Sequence, residues 1–96
     1  MQADYDSTAN AISITISDAR HADRSDEVHP RAIVALFDEQ PVEVQLLYPD
    51  LGISEPLAAV VDRYALDHEA LAAAAQSALA APDRVVSLDV AARSAA

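Results

Sequence analysis

The sequence predicts an α+β domain, in which an antiparallel sheet of about four to five strands carries two helices packed on one face. Residues 11–17 alternate strictly between apolar and polar side chains, which is the period of a half-buried strand. Residues 54–81 have helical spacing and high helix propensity, and residues 85–90 alternate again. All 96 residues fit a single domain, with the sheet in residues 2–48, the helices in 54–81 and a closing strand in 85–90.

The first two strands are predicted to form a hairpin. Asp6-Ser7-Thr8 is a turn signal, and it separates residues 2–5 from the alternating run of residues 11–17. The apolar residues of that run lie on one face, and its polar residues lie on the other: Ile12, Ile14 and Ile16 against Ser13, Thr15 and Ser17. The alternation therefore predicts one buried face and one solvated face.

A second hairpin follows a polar segment. Residues 18–31 lack helical periodicity and predict a loop, with a short edge strand near Asp26–His29 because a proline follows directly. Ala32–Phe37 is a continuous apolar run that suits a central strand. The tetrapeptide Asp38-Glu39-Gln40-Pro41 predicts a turn, and residues 42–48 alternate once more. The apolar run, the turn and the alternating run together predict the second hairpin, over residues 32–48.

Two short helices are predicted after Pro49 and Gly52, which interrupt the sheet pattern. Ser54 and Asp67 are good N-cap residues for the first and second helix. Each helix has its own apolar side chains: Leu57, Val60, Val61 and Tyr64 in the first, and Leu71, Ala75, Ala78 and Leu79 in the alanine-rich second. Pro82 ends the second helix, and the strand of residues 85–90 closes the fold.

The negative net charge of the chain excludes some classes of binding partner. Sixteen acidic side chains stand against six basic ones, all of them arginine, and the net charge is −10. Such a chain repels phosphate backbones and anionic membrane surfaces, so we expect neither nucleic acid nor a membrane as partner. A basic protein would be attracted and oriented by the same field. Acidity that merely keeps a small domain soluble is the alternative explanation.

The sequence also predicts a cytoplasmic location. No run approaches the ~18 consecutive apolar residues that a spanning helix needs, and no basic-then-apolar segment stands at the N-terminus. The chain contains no cysteine, which excludes disulfides, thiolate metal sites and thiol catalysis.

The N-terminal half carries a family resemblance. The residues concerned are Tyr5-Asp6, Ala9-Asn10-Ala11 and the alternating isoleucines followed by Ser17-Asp18. In these residues the chain resembles a bacterial family known as domain of unknown function 2283, whose members are small β-rich proteins. The family usually has Gly-Ile-Glu-Ile-Leu where this chain has Glu43-Val44-Gln45-Leu46-Leu47, so no role is carried over to that strand. The resemblance implies a twisted antiparallel sheet and no known chemistry.

Some relatives in that family look like the antitoxin partners of small basic ribonuclease-like toxins. The resemblance therefore implies an antitoxin-like role, and the acidic charge of the chain agrees with a basic partner of this kind.

Histidine and carboxylate clusters are the candidates that the sequence offers for a metal or catalytic site. Asp18, His21 and Asp23 form one cluster, Asp26, Glu27 and His29 form another, and both lie in a segment where solvated charge is the simpler explanation. The pairs Asp38–Glu39 and Asp26–Glu27 could support acid–base chemistry, but neighbouring acids are expected in so acidic a chain. With a single glycine there is no phosphate-binding loop. We therefore predict no catalytic, cofactor-binding or metal-binding residue.

The sequence predicts a non-enzymatic protein-interaction module. Its specific form would be an antitoxin-like acidic partner of a small basic protein. A homodimer is also expected, because large apolar side chains are few, and because the lightly charged strand Val85–Val90 and the alanine-rich helix each offer a surface for a second copy. Two alternatives stay open: a small-ligand or metal-binding accessory protein, and a homo-oligomeric structural protein.

We predict that the protein does not bind nucleic acid at physiological salt. Residues 57–79 space two helices as a helix-turn-helix would, yet the second helix, Glu69–Ala81, has no arginine for phosphates or base edges. A mobility-shift assay with generic duplex DNA and RNA checks this. Micromolar binding that weakens steeply with added salt would contradict it.

Overall fold

Six antiparallel strands form one sheet in the computed structural model, which describes residues 1–17 and 21–88. In chain order the elements are β1 (Gln2–Asp6), β2 (Ala11–Thr15), β3 (Arg24–His29), β4 (Ala32–Phe37), β5 (Gln40–Leu47), α1 (Ser54–Tyr64), α2 (His68–Ala80) and β6 (Val85–Ser87). The strands lie side by side in the order β3-β4-β5-β2-β1-β6. The predicted α+β class is confirmed, and the sheet has six strands rather than four to five.

The strand register separates the side chains of the sheet into two faces. One row of residues that are paired across four strands is buried: Ala3 on β1, Ile14 on β2, Val44 on β5 and Val34 on β4. The next row toward the other end of the strands contains Ile12, Leu46 and Ala32, which are also buried. Since side chains alternate along a strand, the intervening residues all lie on the opposite face.

Both helices pack on the buried face. Helix α2 contacts β1, β2 and β6, and α1 contacts β3, β4 and β5. Helix α2 buries Leu71 and a set of alanines, namely Ala70, Ala74, Ala75 and Ala78. Because alanine has only a methyl group, the helix backbone can lie close to the isoleucines of the sheet and leave no large void.

The β4–β5 hairpin is tighter than the sequence predicts. Asp38 and Glu39 alone form the turn, with φ of 51° and 65°, while Gln40 and Pro41 already belong to β5. Two consecutive residues in the left-handed region make the kind of two-residue turn whose twist matches the flanking strands. Pro41 is tolerated because the register shifts between Ala35 and Leu36 opposite it.

The edge strand β3 is longer than predicted. The sequence suggests a loop with a short strand near residues 26–29, whereas the strand begins at Arg24. Its residues are mostly polar and alternate poorly, so the strand depends on its ladder with β4, which pairs Asp26 with Val34. A local pattern cannot report a ladder that joins separate segments.

The other edge strand, β6, is shorter than the predicted span of residues 85–90. It ends at Ser87, although the Leu88 backbone N–H still donates to the Met1 carbonyl at 2.8 Å. Residues 89 and 90 lie outside the described part of the chain.

The ends of the helices differ in how well the sequence predicts them. The Asp67 N-cap is confirmed, since its carboxylate accepts a hydrogen bond from the Ala70 N–H at 3.2 Å. The prediction of Ser54 as an N-cap is wrong. Ile53 occupies the N-cap position without a side-chain hydrogen bond, and Ser54 is the first helical residue. At the other end of α1, Ala65 adopts the left-handed conformation with φ of 54°, a position that usually holds glycine.

We expect Ala65→Gly to stabilise the protein. A residue with a Cβ costs about 1 kcal/mol in the left-handed region, and this strain exceeds the added freedom that glycine gives the unfolded chain. The matched control is Ala58→Gly, an exposed position inside α1, where the same change should cost about 1 kcal/mol. Urea unfolding measures both variants. A loss of stability in Ala65→Gly would contradict the left-handed cap.

Candidate interaction surface

The Asp26, Glu27 and His29 cluster is dispersed by the strand on which it lies. Asp26 faces α1, where it accepts a hydrogen bond from the Tyr64 hydroxyl at 2.6 Å and lies 3.4 Å from the Arg63 guanidinium. Its neighbour Glu27 alternates to the other face of the sheet. His29 accepts a hydrogen bond from the Arg31 backbone N–H through Nδ1 at 3.0 Å. These contacts attach β3 to α1 and shape the turn into β4.

Burial and the bond to Asp26 both affect the Tyr64 hydroxyl. They raise the pKa of Tyr64, with burial the larger cause, so the phenol keeps its proton. Tyr64 is therefore a donor that joins the helix layer to the sheet.

The other carboxylate candidates also have structural roles. Asp23 accepts a hydrogen bond from the Asp38 backbone N–H at 3.1 Å. The Glu39 carboxylate accepts two hydrogen bonds from the Arg24 guanidinium, each at 2.9 Å. His21 is exposed, and Asp18 lies outside the described residues. Within residues 1–17 and 21–88, no group of three or more His, Cys, Asp or Glu side chains converges in a way that could hold a metal ion.

The face of the sheet that points away from both helices is the largest feature not explained by packing. In the part of the chain that the structure describes, neither helix covers it. We call it the open face. Alternation and pairing place on it Gln2, Asp4 and Asp6 of β1, Ala11, Ser13 and Thr15 of β2, Ser25 and Glu27 of β3, Ile33, Ala35 and Phe37 of β4, Gln40, Glu43, Gln45 and Leu47 of β5, and Val85 and Ser87 of β6.

The open face combines carboxylates with a small apolar area. Its ionisable strand residues are Asp4, Asp6, Glu27 and Glu43, and none of its described strand positions holds an arginine. Next to the carboxylates, Ile33, Ala35 and Leu47 are partly exposed. A surface of this kind suits a partner that is both cationic and apolar.

The described arginines lie mostly elsewhere. Arg24 forms an ion pair with Glu39, and Arg63 forms one with Asp26 between α1 and β3. Arg31 donates a hydrogen bond to the Gly52 carbonyl at 2.6 Å. Arg84 borders the open face, where it lines a shallow depression of about 280 Å³ together with Asp4. The strand positions of the open face thus carry carboxylates and no described arginine, whereas the other described carboxylates lie on the helices, in the turns and on the helix side of the sheet.

Glu43 lies on the open face of β5, one of the two central strands of the sheet. It stands opposite Thr15 in the register, and it lines a depression of about 400 Å³ together with Thr15, His21 and Ala35. Partial burial raises the pKa of Glu43, and repulsion from Asp4 on β1 adds to the shift. A cation placed beside this carboxylate would replace the hydration that it has lost.

The sequence does not single out this surface. Asp4 and Glu43 are far apart in the chain, and they approach one another because β2 pairs with β1 on one side and with β5 on the other. The sequence signal for this surface consists of the polar residues in each alternating run, such as Ser13 and Thr15. That signal indicates a solvated face but does not reveal which strands share it.

No protein-family model, curated protein or solved structure matches this chain. None of the described helices is long and apolar enough to span a membrane.

We expect Glu43→Gln to stabilise the protein at neutral pH but not in acid. Because folding raises the pKa of Glu43, its favourable contribution is complete below the usual carboxyl pKa and is lost as pH rises through the raised value. Removing the charge should therefore add roughly 0.5 kcal/mol or less near pH 7, since solvent screens the carboxylate. Urea unfolding from about pH 4 to pH 7 measures the difference.

The control is Glu27→Gln, which removes the same charge from an exposed carboxylate of β3 on the same face. An equal gain from both variants would mean that net charge alone is responsible, contrary to the specific burial of Glu43.

Proposed function

We propose that this chain is a non-enzymatic protein-interaction module whose open face binds a basic, amphipathic protein surface. The observation that carries the proposal is the uncovered side of the sheet, on which Asp4, Glu27 and Glu43 surround partly exposed apolar residues. Carboxylates on such a surface steer a cationic partner, and the apolar side chains contribute burial once the partner is seated.

The specific form of the proposal is antitoxin-like. A small basic protein that acts on nucleic acid presents a cationic surface for phosphates, and an acidic sheet face could cover that surface in competition with the nucleic acid. The net charge of −10 supports this pairing. We place the interaction in the cytoplasm, which suits a chain without cysteine.

Glu43 is the residue on which the affinity should depend most. A guanidinium placed beside it gains a charge-assisted hydrogen bond, because the carboxylate is already partly removed from water. Asp4 lies on the far side of β2 and extends the same field, as its repulsive effect on Glu43 indicates.

A titration with a short synthetic peptide of alternating arginine and leucine tests the proposal. We expect the double variant Asp4→Asn, Glu43→Gln to bind this peptide roughly tenfold more weakly than the wild type, because two charge-assisted contacts are lost. Isothermal titration calorimetry at low and physiological salt gives the affinities.

The matched control removes the same two charges from the helix layer, in the exposed residues Glu55 and Asp62 of α1, by Glu55→Gln and Asp62→Asn. It should weaken binding by no more than about twofold, because screening limits the effect of distant charges. Equal losses in the two double variants would assign the affinity to net charge and would overturn the open face as the binding site.

A further inference from the structure

We propose that two copies of this chain pair through their β6 edges, so that the sheet continues across a twofold axis into a second subunit. The inference does not depend on the binding proposal above, since it concerns an edge of the sheet and not the open face. It does have a consequence for that face, because pairing in this way would align two open faces as one surface.

The ladder between β1 and β6 fixes which backbone groups point outward. Leu88 and Met1 exchange both hydrogen bonds, with the Leu88 N–H donating at 2.8 Å and the Met1 amino group donating at 3.3 Å. Hydrogen-bonded pairs recur at every second residue of an antiparallel ladder, so Val86 directs its N–H and C=O toward Ala3. Val85 and Ser87 therefore direct theirs away from the sheet, where the described residues supply no further strand.

The two edges of the sheet differ in their protection against pairing. The β3 edge carries Arg24, Asp26 and Glu27, has a register shift between Glu27 and His29, and is followed by Pro30. Charges, irregular register and proline are the features with which sheet proteins discourage edge pairing. Strand β6 contains no charge, proline or register shift, and its protective feature is its length of only three residues. Its Val85 side chain is 66% exposed. The uncharged edge is therefore the one that we assign to the second copy, in a short pair of strands.

The β6 strand is self-complementary when it is paired about Val86. In an antiparallel pair centred there, Val85 lies opposite Ser87 of the second copy, and Ser87 lies opposite Val85 of the second copy. Both of these are hydrogen-bonded pairs, so every outward N–H and C=O of Val85 and Ser87 finds a partner. No charged residue of β6 meets a like charge, because the strand contains none.

Association also covers exposed apolar surface. Pairing buries the Val85 side chain, and a small domain with few large apolar residues gains stability from such burial. The net charge of −10 on each copy opposes association, so the dimer should tighten as salt rises.

Disulfide trapping identifies the edge that pairs. The chain has no cysteine, so any disulfide formed by a single-cysteine variant joins two chains. Val86→Cys would place two thiols in a non-hydrogen-bonded pair with Cα atoms about 4.5 Å apart, a separation that a disulfide can bridge. Ser25→Cys at the β3 edge is the control. We expect mild oxidation to produce covalent dimer from Val86→Cys and little from Ser25→Cys, and the reverse pattern would overturn the assignment.

A second comparison tests the hydrogen bonds directly. Val85→Pro removes an outward N–H that makes no bond within the subunit, whereas Val85→Thr keeps that N–H and the branched side chain. The proline variant should raise the dissociation constant roughly 30-fold, since each of two symmetry-related hydrogen bonds contributes about a factor of five. Sedimentation equilibrium gives the masses. A wild type that sediments as a monomer at every protein and salt concentration, or equal constants for the two variants, would end the proposal.

Discussion

Burial on one side of the sheet is the constraint on which the rest of this structure depends. Strand side chains alternate with a period of two, so Ile12, Ile14 and their paired residues on neighbouring strands can all reach the helices only if the register is kept. A shift by a single residue would expose that set and bury Ser13 and Thr15. The alanines of α2 complete the arrangement, because their small volume lets this helix pack closely on β1 and β2.

The same constraint creates the open face. Once one side of the sheet is committed to the core, every alternate residue is directed to the other side, whatever its chemistry. In this chain those positions hold carboxylates beside Ile33 and Leu47, and partial burial, with repulsion from Asp4 as the smaller cause, raises the pKa of Glu43. Burial disfavours the charged form of Glu43 at neutral pH, and the role that we propose for this carboxylate is in binding.

Sequence patterns predict the parts of this fold that depend on near neighbours. The isoleucines of β2, the Asp67 cap and the order of the elements all follow from residues within one turn or one strand of each other. The strand β3 and the approach of Asp4 to Glu43 depend on pairing between distant segments, which no local period records. The left-handed residues of the β4–β5 turn were also missed, because Asp38 and Glu39 stand where Asn-Gly is the stronger signal.

We propose that the open face, and not the helix layer, binds a cationic partner. Backbone amide shifts of isotope-labelled protein, recorded while the arginine–leucine peptide is added, test this most directly because they report each residue separately. We expect the largest changes at open-face positions such as Ser13, Thr15 and Gln45, with α1 and α2 little affected. Changes concentrated on Glu55, Asp62 and their neighbours in α1 would contradict it.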